Sequence, residues 1–276
     1  MVGDEVHASV RKALSLVGFE RDRVVRVPVD SQGRMRVDGF PAVDDRSVVC
    51  VRAGNVNTGA FDPVADICGL AHERGAWVHV DGAFGLWAAA APGREHFTRG
   101  IEDADSWVTD AHKWLNVPYD SGLVFVRDAD ALRAAMSVGG AYLAQDEDRI
   151  PYQYTPDFSR RARGIEVWAA LSQLGRAGLA DLVERTCRYA ARFGEGLRGA
   201  GYRVLNDVML NQVLVSFGSA ERTRAVIARI QEDGTCWCGG TVWQGNVAMR
   251  ISVSSWVTTE ADVERSLAAM LRAAVA

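Results

Sequence analysis

The sequence predicts an α/β protein, a mostly parallel sheet followed by a small α+β C-terminal domain, and three observations carry that expectation. Short apolar runs alternate with helix-like stretches between residues 23 and 127, a rhythm that pairs strands in parallel through right-handed crossovers. Two chemically distinctive residues, Asp81 and Lys113, each follow an apolar run, which places both on the carboxyl edge of the sheet, where open α/β folds bind ligands. Long amphipathic stretches then take over, and a strand, helix, strand, helix series closes the chain. The change in composition falls near 156–163, so the expected domains are 1–156 and 157–276.

Taken in order, HASVRKALSLVGF predicts the first helix, because Val10, Leu14 and Val17 recur at helical spacing and Gly18 stops the pattern. No strand or cap is expected ahead of it. VVRVPV (24–29) and SVVCVRA (47–53) read as strands, Pro63 to Arg74 as a helix, and 76–81, 104–110 and 122–127 as further strands. A helix over about 128–137 precedes SVGGAYLAQDEDRIPYQYTPDF, whose glycines, acidic run and prolines predict a loop able to close over a ligand. Val167, Trp168, Leu171 and Leu174 begin the long amphipathic helices. NQVLVSF, Ser219 to about Gln231, VAMRISV and a last helix capped by Thr259 complete the chain.

Composition excludes several classes of function. A hydrophobic content of 48% over 276 residues supports a sizeable core, and a net charge of −4 with both signs interspersed offers no basic stripe for nucleic acid. The apolar runs are too short to span a bilayer and MVGDEVHASV lacks the pattern of a signal peptide, so a cytoplasmic protein is expected. The five cysteines are scattered without a CxxC pair, which predicts reduced, mostly buried thiols and no metal site.

Lys113 stands out because only it and Lys12 are lysines among 31 basic residues. Arginine stays protonated and is no amine nucleophile, whereas a lysine in a suitable site attacks a carbonyl and forms an imine. Asp81, an acid at the tip of an apolar strand, needs a partner. Read alone it could equally cap a helix, as His7 could be a polar residue ahead of one and Arg250 an outward-facing strand residue.

The run His112, Lys113, Trp114, the following NVPYDSG, and HVDGAFG from His79 to Gly85 resemble the group II amino-acid decarboxylases, which depend on pyridoxal 5'-phosphate (PLP). The resemblance runs over essentially the whole chain. It implies a fold-type I PLP-transferase-like architecture with a partial large domain, a homodimer, and an L-amino acid as substrate. By the same resemblance, Lys113 forms the Schiff base with PLP, Asp81 keeps the pyridine nitrogen protonated, His7 stacks on the ring and Ala83 packs against its other face. His112 belongs to the cofactor site, and either His112 or Tyr142 supplies the proton that follows loss of CO2. Arg250 resembles an arginine that binds a substrate carboxylate.

The chain departs from the family pattern in places. The Gly-rich loop that holds the cofactor phosphate has no counterpart in these residues. In the loop 53–63 a threonine common in relatives is replaced by Val56, and Asn55, Asn57 and Thr58 are the polar neighbours that would compensate, Asn57 being taken as a cofactor contact. Of Arg160, Arg161 and Arg163, two are expected to be solvated and one to meet an anionic group. Gln244 and Asn246 stand where more basic residues are expected. Two alternatives accompany the decarboxylase expectation: an aminotransferase on the same scaffold, and a truncated or split non-catalytic fragment.

Overall fold

The computed structural model describes residues 1–139 and 149–275, so Tyr142 lies outside the described residues. The first half contains β1 (Val2–Gly3), α1 (Ala8–Leu16), β2 (Arg26–Val27), β3 (Val48–Arg52), α2 (Val64–His72), β4 (Trp77–Asp81), β5 (Ser106–Asp110), β6 (Gly122–Val126) and α3 (Ala129–Met136). Its sheet has the order β2-β1-β3-β4-β5-β6. Every pairing is parallel except β5 with β6. The connection from 111 to 121 contains no helix, so the chain returns antiparallel rather than crossing over.

One expectation fails at the start of the chain. A strand does precede the first helix, since β1 pairs with both β2 and β3, and a cap does too, since His7 Nδ1 accepts the Ser9 N–H at 3.3 Å. Two residues are too few to show a period, and histidine is not a favoured cap type. Gly18 ends the helix as expected, with φ at 94°.

The second half contains α4 (Gly164–Gly199), interrupted at Gly175 (φ 59°, ψ −173°), then β7 (Arg203–Val204), β8 (Gln212–Ser216), α5 (Ala220–Asp233), β9 (Gly239–Trp243), β10 (Asn246–Ser252) and α6 (Glu260–Val275). The four strands form a separate antiparallel sheet, β7-β8-β10-β9. Neither β7 nor β9 is apparent in the sequence. β9 opens on two glycines, and its turn to β10 is Gln244-Gly245, both with positive φ, where Asn-Gly or Asp-Gly would have signalled a hairpin.

Each sheet has its own core, and α4 contributes to both. Val183 and Cys187 pack with Val49, Val51, Val78 and Val80, whereas Ala190, Phe193 and Leu197 pack with Val213, Val215 and Met249. Burial pushes the Cys187 thiol up to about 12, so it stays a protonated apolar filler. All five cysteines are free.

The loops that leave β3 and β4 touch backbone to backbone at Gly54 and Gly85. A Cβ on Gly85 would collide with the Ala53 carbonyl oxygen and lie 2.8 Å from Gly54 Cα, and backbone cannot swing aside as a side chain can. Gly85→Ala is therefore expected to lower folding stability by about 1–3 kcal/mol, read from the midpoint of urea unfolding.

Candidate active site

Side chains alternate across a strand, and the parallel register stacks them in rows. Arg52 faces Asp81 and Asp81 faces Val108, while Cys50 faces His79 and His79 faces Ser106. Asp110, two residues beyond Val108, shares that face and pairs with Gly122 of β6. These residues, with α1 on one side and β10 on the other, line a cavity of about 1110 Å³. His7, Asp81, Ala83, Lys113 and Arg250 all reach its wall.

The two chemical centres are stitched together through backbone. Ala83 N–H donates to Asp81 Oδ1 at 3.2 Å, Gly82 N–H to the Val108 carbonyl at 2.9 Å, and Asp110 N–H to the Ala83 carbonyl at 2.8 Å. The tight DGA turn thus locks the tip of β4 against the end of β5. Gly82 suits this turn because a Cβ there would lie 2.8 Å from Leu86 Cβ. Asp81 Oδ2 accepts no hydrogen bond among the described residues, so one carboxylate oxygen is left for a ligand.

Lys113 sits one turn past β5, with its Nζ 2.8 Å from Asp110 Oδ2. Its loop is anchored from below. Trp114 is buried and its indole N–H donates to Thr186 Oγ1 of α4 at 2.9 Å. Asn116, with φ at 60°, donates through Nδ2 to the Ser254 carbonyl at 2.8 Å and accepts the Trp256 N–H at 3.3 Å. The amine is therefore carried on a loop of the first half that is fastened at two places to the second.

Arg250 enters the cavity from β10. Its Nη1 donates to the Val56 carbonyl at 3.4 Å, no carboxylate pairs with it among the described residues, and burial pulls its guanidinium below the usual range. An unneutralised guanidinium in a cavity is a site for an anion. Arg160 also lines the cavity, while pairing with Asp157 at 3.1 Å. Its neighbours instead fasten the turn before β6: Arg161 donates to the Tyr119 carbonyl and Arg163 forms a two-pronged pair with Asp120.

Two expected site residues have partners of their own. The Asn57 side chain accepts from Thr241 Oγ1 of β9 at 3.1 Å, a bond that ties the loop 53–63 to the second sheet. His112 stands beside the cavity, stacked on Tyr119 with centroids 4.3 Å apart. Its Nδ1 lies 3.0 Å from the Ser121 N–H and 2.9 Å from the Ser121 carbonyl, so either tautomer finds a partner there. Three contributors escaped the sequence: Asp110, Thr186 and Asn116. The i, i+3 spacing of Asp110 and Lys113 was the available signal for the first; the other two depend on contacts distant in sequence. No group of side chains able to hold a metal ion occurs among the described residues.

An amine and a carboxylate at the ends of neighbouring parallel strands, sharing one cavity, define the fold-type I class of PLP enzymes. The donor set fits that cofactor, offering an amine for its aldehyde and a free carboxylate oxygen for its ring nitrogen. Comparison with known proteins agrees. The family model of the pyridoxal-dependent decarboxylase conserved domain matches residues 1–218. An aromatic-L-amino-acid decarboxylase of Drosophila lebanonensis is 30% identical over 278 residues, covering 95% of this chain and 68% of that protein. A histidine decarboxylase of Drosophila melanogaster is 29% identical, over 94% of this chain and 32% of that protein. The solved structure of Oryza sativa TDC with PLP and tryptamine superposes with a TM-score of 0.91 at 23% identity, covering 99% of this chain and 62% of that one. The chain belongs to the pyridoxal-dependent decarboxylase family, and it spans only part of the length of these relatives.

Two measurements check the support around the site. Replacing Thr186 by Val keeps the shape but leaves the buried Trp114 N–H without an acceptor, an expected loss of about 1–3 kcal/mol in urea unfolding. Burial lowers the pKa of His79, whose Nδ1 meets Ser106 Oγ at 2.8 Å. The unfolded chain therefore takes up this proton first, so the stability from neutral His79 is complete above about pH 6.5 and is lost on acidification below it. Between about pH 7.5 and 5.5 the Tm of wild type is expected to fall more than that of His79→Gln.

Proposed function

We propose that the chain carries the active-site part of an enzyme that decarboxylates an L-amino acid to its amine with PLP. The observation that carries this reading is the shared cavity of Lys113 and Asp81. PLP, when bound, supplies an aldehyde that condenses with an amine and a ring that takes up electrons released at the substrate α-carbon. Lys113 presents its Nζ to that aldehyde. Asp81, through the oxygen not engaged by Ala83, holds a proton on the ring nitrogen. His7 and Ala83 both line the cavity, His7 from the head of α1 and Ala83 from the turn after β4, and we assign them to the two ring faces, while Arg250 offers its guanidinium to a substrate carboxylate. His112, one residue from the amine and outside the cavity wall, is the proton source nearest the site in sequence. Tyr142 remains the other candidate for that role.

The relatives' names put aromatic and imidazole side chains within the substrate range of the family. We read residues 1–156 as a partial PLP-binding domain, residues 157–276 as the small domain, and the working protein as a cytoplasmic homodimer. No helix among the described residues is long and apolar enough to cross a membrane.

A second reading has an observation in its favour. Leu16 at the end of α1 and Val17 just after it are 77% and 72% exposed, and Val124 and Phe125 of the edge strand β6 are about half exposed. Such apolar surface beside an open sheet edge suits a chain completed by further polypeptide. Adding PLP to the purified protein separates the readings. A long-wavelength absorbance that survives gel filtration and disappears in Lys113→Ala is expected of the enzyme, whereas a cofactor that washes out points to the incomplete chain. Full absorbance in Lys113→Ala would refute the role of Lys113.

A further inference from the structure

The sequence uses lysine twice, at 12 and 113, and both side chains are solvent-accessible, yet their surroundings differ. Lys113 Nζ lies 2.8 Å from Asp110 Oδ2, with the two side chains 40% and 29% exposed. Three features aim Asp110 at the amine. Its N–H is bound to the Ala83 carbonyl, fixing the last residue of β5 against the DGA turn. Its own carbonyl accepts the Lys113 N–H at 3.3 Å, so a single turn stacks residue 113 over residue 110. Its cross-strand partner is Gly122, which has no side chain to fill the space above the carboxylate. An exposed ion pair of this kind contributes only about 0–1 kcal/mol to folding, so stability does not account for it.

The other ionisable groups around the cavity are otherwise engaged or unpaired. Arg52 donates to the carbonyls of Glu5 and Gly33, and His79 is tied to Ser106. His7 caps α1, and Arg160 pairs with Asp157. Asp81 and Arg250 have no ion-pair partner among the described residues. Two carboxylates thus lie on one face of the sheet and line the amine's cavity, and Asp110 is the one paired with it.

We propose that Asp110 is a positioning residue for Lys113. It holds the Nζ proton at the end of β5, keeps the amine from pairing with Asp81, and restrains its reaction with aldehydes near neutral pH until that proton is passed on to Oδ2 or to water. This deepens the proposed function and rests on Lys113 being the reacting amine. It assigns the two acids separate tasks: Asp110 for the lysine, Asp81 for the ligand.

The scarcity of lysine makes the test clean. The protein, free of cofactor, is treated with trace formaldehyde and cyanoborohydride, and methylation of Lys113 relative to Lys12 is read by peptide mass spectrometry. In Asp110→Asn the ratio is expected to rise at neutral pH by up to about fivefold, the equivalent of the ~1 kcal/mol at the top of the range for an exposed pair, and Asp110→Glu should restore the wild-type ratio. In 1 M salt wild type and Asp110→Asn should converge, whereas a merely structural role would leave their difference in place. An unchanged ratio in Asp110→Asn, or a difference that persists in 1 M salt, would overturn the proposal. If Asp110→Asn does not fold, the wild type decides: the ratio should rise in 1 M salt, which screens exposed pairs, and a constant ratio rejects the pair. Formaldehyde needs neither cofactor nor substrate pocket. A negative result therefore removes the role of Asp110 and leaves that of Lys113 to the absorbance of Lys113→Ala.

Discussion

The parallel register of β3, β4 and β5 is the constraint on which the site depends. It puts Arg52, Asp81 and Val108 in one row, with Asp110 beyond them on the same face. A slip of one residue would turn these side chains into the core and send Val51, Val80 and Thr109 outward. The opposite face forbids that, because Val49, Val51, Val78 and Val80 are buried against α2 and α4. Apolar packing on one side of the sheet thus fixes the chemistry on the other.

Register alone does not place the amine, which lies beyond the end of β5. Its loop is held by one buried indole and one left-handed asparagine, Trp114 and Asn116, whose partners come from α4 and from the segment after β10. Holding a flexible lysine stem near a fixed carboxylate is costly in conformational entropy. Anchoring the neighbours on either side reduces the freedom that remains to be lost when a ligand binds.

Much of this was legible in the residues themselves. Strands ending in Asp81 and just before Lys113, the helix after Pro63, and the late helices opened by Ser219 and Thr259 all declare themselves through period and capping chemistry. What stayed hidden is local in a different sense. β1 and β7 are two residues each and exist only through their neighbours' hydrogen bonds, and β9 is disguised by glycines and a Gln-Gly turn. The bond between Asn57 and the Thr241 hydroxyl joins residues far apart in sequence, so only the structure reveals it. Asp110 is inconspicuous in the sequence because an acid ending a strand three residues before a lysine signals a pair only once a tight turn stacks the two.

The helix α4 runs unbroken from Arg176 through Leu197, and in doing so it lends side chains first to one core and then to the other. It behaves as a ruler laid across the molecule. Trp114, the residue after the lysine, is pinned to it at Thr186, and Arg250 belongs to the sheet packed on its far end. One continuous rod thus joins the loop that carries the amine to the sheet that carries the cation, so a substitution along its buried stripe acts on both ends at once.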